Sequence, residues 1–81
     1  MGNLKKAEEF LTKALTTCLK LFGENHRDVA ICDNSLGNLY LNLGYLQKAE
    51  EFLMRAMAIS LELFGENNGD VANCYNNLGN L

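Results

Sequence analysis

At 81 residues the chain lies near the lower limit at which one domain buries enough surface to hold its own core. Hydrophobic residues make up 48% and charged residues 21%, a globular composition that excludes a disordered tail. Seven Lys and Arg against ten Asp and Glu leave a net charge of -3 with no basic excess for a phosphate backbone, and no apolar run reaches a membrane span of ~18 residues, so neither nucleic acid nor membrane is expected as a partner.

The first expected helix covers about residues 3–22. Leu4, Ala7, Leu11, Ala14, Cys18 and Leu21 are spaced three or four apart and share one face. Phe10, Leu15, Leu19 and Phe22 widen that stripe enough to touch two neighbours. Lys5-Lys6 leads into Ala7-Glu8-Glu9 and not into the apolar core of a signal peptide. Together with three cysteines at wide spacing, Cys18, Cys32 and Cys74, this predicts a reducing, cytoplasmic setting. Gly23 ends the helix, since glycine adopts the left-handed C-terminal cap without steric cost.

A second helix is expected over about 26–43, opened by Asn25 as N-cap with Asp28 in the first turn, and His26 is read as an exposed first-turn residue. Val29, Cys32, Leu36, Tyr40 and Leu43 form its buried stripe, Leu39 borders it, and Gly44 closes it. The third helix, about 46–64, repeats the first: Leu46, Ala49, Leu53, Ala56, Ser60 and Leu63 form the stripe, with Phe52, Met57, Ile59 and Phe64 beside it and Gly65 at its end. Asn67 and Asp70 open a fourth helix, about 68–81, which repeats the second.

The repetition is literal. Lys6-Ala7-Glu8-Glu9-Phe10-Leu11 returns 42 residues later as Lys48-Ala49-Glu50-Glu51-Phe52-Leu53, and Leu36-Gly37-Asn38-Leu39 returns as Leu78-Gly79-Asn80-Leu81. About 60% of overlaid positions are identical without a gap, which indicates one supersecondary unit stacked on its copy.

Leu36-Gly37, Tyr40, Gly44, Leu46, Ala49, Phe52-Leu53 and Ala56 follow the order of small residues, aromatics and a glycine turn found in tetratricopeptide repeats. The chain resembles that family throughout. Gly37, Ala49 and Ala56 are the small residues that let two helices approach to the short end of the ~8–10 Å range. The usual unit has 34 residues and ends in proline; here the second helix of the unit runs on to Phe64-Gly65, as in the longer repeats of kinesin light chains and nephrocystin-like proteins, whose inter-repeat segment resembles residues 23–30. Asp33 departs from the pattern, standing where the family often has an aromatic and where the copy has Tyr75. The resemblance implies an all-α helical-hairpin solenoid, a right-handed superhelix whose helix types run second, first, second, first. It also implies a non-catalytic scaffold that binds a peptide or protein on the face formed by the first-type helices.

The residues themselves offer little catalytic chemistry. Cys18, His26 and Cys32 are eight and six apart, unlike the short spacings of zinc ligands, so no metal or cofactor is expected. Adjacent carboxylates such as Glu8-Glu9 and Glu50-Glu51 point about 100° apart on a helix and read as a solvated face. Asparagine is the informative excess: Asn34, Asn38 and Asn42, with Ile31 and Leu41 beside them, and Asn73, Asn76 and Asn80 in the copy lie nearly opposite the buried stripe. Each costs several tenths of a kcal/mol relative to alanine in a helix, and a repeated cost suggests a use. Amides pair with the N–H and C=O groups of an extended peptide whatever its side chains. A solvated polar face or Asn–Asn bonding between repeats is the competing reading. Lysine is missing from these positions, so a clamp for a terminal carboxylate is not expected.

The order of helix types also suggests a fragment excised from an array, without polar capping helices. A head-to-tail contact between copies is then expected, with Leu4, Leu11, Leu15 and Leu19 of the first helix meeting Val71, Cys74, Leu78 and Leu81 of the last, as Leu46 and Leu53 would meet Val29, Cys32, Leu36 and Leu39 within a chain. Residues 1–27 carry five basic and three acidic side chains against two and seven in residues 28–81, so opposite ends attract.

Overall fold

Gly23, Gly44 and Gly65 adopt φ of +81°, +84° and +79°, a region costly for any side chain, and each stops a helix. In the computed structural model, which describes residues 2–81, the intervening segments are α1 (Gly2–Phe22), α2 (Arg27–Leu43), α3 (Leu46–Phe64) and α4 (Gly69–Gly79), and no strand occurs among the described residues. Gly44 satisfies two orphan carbonyls: its own N–H donates to Leu41 O at 3.1 Å and that of Tyr45 to Tyr40 O at 2.9 Å.

The N-terminal caps fall one residue later than expected. His26 and Asn68, not Asn25 and Asn67, hold the extended cap conformation. The Asp28 backbone N–H donates to His26 Nδ1 at 3.1 Å and the Asp70 N–H to Asn68 Oδ1 at 2.8 Å. His26 is therefore a cap and not a first-turn residue, and its ring stacks on Phe22 at 4.1 Å between centroids. Asp28 and Asp70 occupy the first turns, where the helix dipole favours a carboxylate. α4 ends at Gly79, which leaves Asn80 as its C-cap and Leu81 outside the helix.

The helices pack in sequence: α2 against α1 and α3, and α3 against α2 and α4. The core is built of Leu15, Val29, Leu36, Tyr40 and Ala49, with Leu11, Leu19, Phe52 and Ile59 packed on it. Leu39 belongs inside, at 5% exposure, and not at a border. The tightest approach is that of α2 to α3: a Cβ on Gly37 would stand 2.6 Å from both Cγ and Cδ2 of Leu53 and 3.3 Å from Ala49 O. In α3 the expected stripe is buried through Ala49, Leu53, Ala56 and Ser60, while Leu46 and Leu63 at its ends are exposed. Among the described residues of α1 only Leu15 is buried, and Leu21, placed on the stripe from its spacing, is exposed. The reason is partnership, because α3 lies between two helices and α1 packs mainly on one.

Candidate functional site

The sides of α2 and α4 that carry the asparagines meet over α3 in a cleft of ≈ 170 Å³. Ile31, Asn34 and Ser35 of α2 form one wall, Asp70 and Asn73 of α4 the other, and Ser60 of α3 lies between them. Of the eight residues expected to bind a peptide, Ile31, Asn34 and Asn73 are thus brought together. Asn38, Asn42, Asn76 and Asn80 are exposed on the same helices but outside the cleft, and Leu41 is half-buried against the core. Asn80 is the C-cap of α4, one residue past the helix.

Two hydrogen bonds tie α2 to α4 across this cleft. Asn77 Nδ2 donates to Asn34 Oδ1 at 2.9 Å, and Arg27 Nε donates to Asp70 Oδ2 at 2.9 Å. The hydrogen bond and the charge of Asp70 raise the pKa of the Arg27 guanidinium. Both pairs join residues 43 apart, one more than the repeat offset, so neither joins equivalent positions. Sequence reading missed Asn77, Arg27 and Asp70 as partners for that reason. Asn34 is consequently a strut between repeats as well as a wall, its carbonyl oxygen already occupied, whereas Asn73 has an exposed amide.

The face expected to stack on another copy is corrected more deeply. Leu15, Val71 and Cys74 are buried inside the chain, with Val71 at 0% exposure, while Leu4, Leu11, Leu19 and Leu78 are half-buried. Among the expected residues only Leu81 is exposed. The apolar groups left open are others: Phe10 on α1, at 69% exposure, and Tyr75 on α4, at 52%. Their counterparts in the other repeat are covered. Phe52 packs on the core, its ring 5.5 Å from that of Tyr40, and Asp33 is fully buried.

The carboxylates are also less uniform than their spacing implied. Glu8 is half-buried and accepts a hydrogen bond from Tyr40 Oη at 2.7 Å, so it is not part of a solvated face. Burial, with that bond, pushes the Tyr40 phenol up to about 12 and keeps it a donor. Burial likewise pushes the Cys32 thiol up to about 11, with Cys18 beside it adding to the effect, and raises Cys74. Thiols held protonated in this way behave as small apolar groups and not as nucleophiles. Among the described residues no group of three or more His, Cys, Asp or Glu is placed to hold a metal ion, and no helix is long and apolar enough to cross a membrane.

A family model described as Tetratricopeptide repeat matches residues 1–62 and again 28–81. Neither a curated relative nor a solved structure matches the chain. The two overlapping matches cover every helix described above, and the chain belongs to the tetratricopeptide-repeat family.

Proposed function

We propose that the chain is a non-catalytic scaffold that binds an extended peptide or a partner protein across the cleft between α2 and α4. The observation that carries this reading is the cleft itself, where the exposed side chain of Ile31 stands beside the amides of Asn34 and Asn73 and the hydroxyls of Ser35 and Ser60. Such a lining offers an apolar anchor and donors and acceptors for a peptide backbone, as in clefts that fix orientation with a few polar groups. No lysine lines it, which disfavours recognition of a terminal carboxylate. The repeat offset of 42 residues supports placing the chain with the longer repeats of the family.

The test is selection from a peptide library followed by titration of Asn73→Ala and Ile31→Ala. Each variant should weaken the selected peptide, Asn73→Ala by about 0.5–1.5 kcal/mol for the lost hydrogen bond, with the helical circular-dichroism signal unchanged. Unaltered affinity in both would remove the cleft as the site.

A second reading, self-association, is favoured by the open faces. Phe10 of α1 and Ala72, Tyr75 and Gly79 of α4 occupy the positions through which α3 and α2 pack on each other. A head-to-tail contact that joins these faces repeats the α2–α3 contact between copies. Mass by light scattering should then rise with concentration in the native chain and stay monomeric in Phe10→Glu. A native chain that stays monomeric throughout eliminates this reading and leaves the peptide cleft untouched.

A further inference from the structure

On the other side of α2, between α1 and α3, lies a second cleft, of ≈ 220 Å³ against the ~10–15 Å³ that a single water needs. Asp33 lines it. The residue is fully buried, and neither carboxylate oxygen has a hydrogen-bond partner. A carboxylate is costly to bury unless it is paired, and an orphan of this kind calls for a partner. The repeat shows how the cleft arises: the equivalent position of α4 is Tyr75, so a small acid stands where the copy has a ring. Leu19, Val29 and Ile59 make the walls, Glu24 adds a second acid, and Arg55 of α3 contributes the one basic group. Arg55 is exposed, and its guanidinium lies over the Phe52 ring at 5.4 Å.

We propose that this cleft is a pocket for a guanidinium group, the arginine side chain of a peptide partner, paired to both oxygens of Asp33. Two unpartnered oxygens on one carboxylate match the two parallel N–H groups of a guanidinium, where an ammonium makes a single point contact; both oxygens are covered in the unbound chain, so the side chains over Asp33 must part to admit the ligand. A guanidinium is also the more weakly hydrated cation, and therefore enters between Leu19, Val29 and Ile59 at lower cost, while the methylene stem lies along the same apolar walls. Glu24 supplies further negative charge. The pocket faces away from the α2–α4 cleft, so the two sites stand or fall separately.

The experiment titrates the 81-residue chain with acetyl-Gly-Arg-Gly-amide and follows backbone amide shifts by nuclear magnetic resonance at pH 7.5, up to about 10 mM, which covers weak millimolar binding. The native chain should show saturable shifts centred on Val29, Asp33 and Ile59. Replacing the arginine of the probe by its uncharged isostere citrulline, or by lysine, should weaken binding at least several-fold. Asp33→Asn keeps the cleft and removes the charge, Asp33→Tyr fills it as the copy does, and both should abolish the shifts. Arg55→Met should bind at least as tightly as the native chain, since a competing cation has been removed. The proposal is overturned if the native chain shows no saturable shift, if the shifts survive Asp33→Asn, or if binding appears only in Arg55→Met, which would make Arg55 itself the partner of Asp33.

Discussion

Val29, Ala30, Leu36, Gly37 and Leu39 of α2 are buried, and of their equivalents 42 residues later only Val71 is equally so. Ala72, Gly79 and Leu81 are exposed and Leu78 is half-buried, although these residues are identical to those they match. The α2–α4 pair thus separates what a residue is from what it touches. Val29 shares the core with Leu15 of the preceding helix, and Val71 is buried to the same degree. Gly37 of α2 is covered by Leu53 and Ala49 of the following helix, whereas a Cβ on its equivalent Gly79 meets nothing within 4 Å. Burial in a stacked array is a property of neighbouring units, and only the portion facing the previous helix repeats with the sequence.

The sharpest test of this difference is a matched pair of truncations. Leu36→Ala should destabilise by about 2–5 kcal/mol, the range for emptying a fully buried leucine site, whereas Leu78→Ala, half-buried, should cost less than half as much. Equal shifts of the chemical-denaturation midpoint would mean that α4 is as fully packed as α2 and would erase the comparison.

Asp33 and Tyr75 give the next largest contrast. Burial pushes the Asp33 carboxyl from its ordinary 3.8 up to about 6, only partly opposed by the charge of Arg55. Because the folded-state value is raised, the folded chain binds the extra proton between about pH 4 and pH 6. Stability from this group is therefore full below about pH 4, is lost as pH rises through 6, and the loss amounts to at most about 3 kcal/mol. Relative to the native chain, Asp33→Leu should be more stable at pH 7.5, and the gap should close on acidification to pH 4. Tyr75→Leu should show no such pH-dependent gap. A gap in Asp33→Leu that stays constant with pH would show that the carboxylate is paired in solution.

The glycine pair comes third. Gly37→Ala drives a Cβ against Leu53 and should cost about 1–3 kcal/mol, the usual range for overpacking. At Gly79, where a Cβ meets nothing within 4 Å, the same change should be neutral or stabilise by up to about 1 kcal/mol from helix propensity. Thermal melts of the two variants should move in opposite directions. Smallest is the cap: Asn68→Ala removes the 2.8 Å bond to the Asp70 N–H and should cost about 1 kcal/mol. His26→Ala should exceed it, because the stack on Phe22 is lost with the 3.1 Å cap bond.

The residues that mark these contrasts differ in how far they could be read in advance. Helix ends were legible because a left-handed glycine and a first-turn aspartate act within a few residues of chain, and the shift of each cap from Asn25 and Asn67 to His26 and Asn68 is a displacement of one position. The close approach at Gly37 was legible from residue size alone. Less so were the struts: Asn34–Asn77 and Arg27–Asp70 join residues out of register with the repeat, so overlaying the two copies conceals them. The stacking residues were misread because spacing places Leu15, Val71 and Cys74 on apolar faces without saying which face already has an occupant.

Local rules acting along the chain, the three-and-four spacing, the glycine stops and the 42-residue offset, were enough to determine an all-α repeat and the order of its helices. They operate through backbone conformation and helix periodicity, which depend on near neighbours only. Tertiary structure alone decided that Leu15, Val71 and Cys74 are spent inside the chain, that Phe10 and Tyr75 are left open, that Glu8 serves Tyr40, and that Asp33 lies buried without a partner. Those outcomes depend on how far helix axes are apart and which helix stands opposite, quantities that a pattern on one helix does not contain.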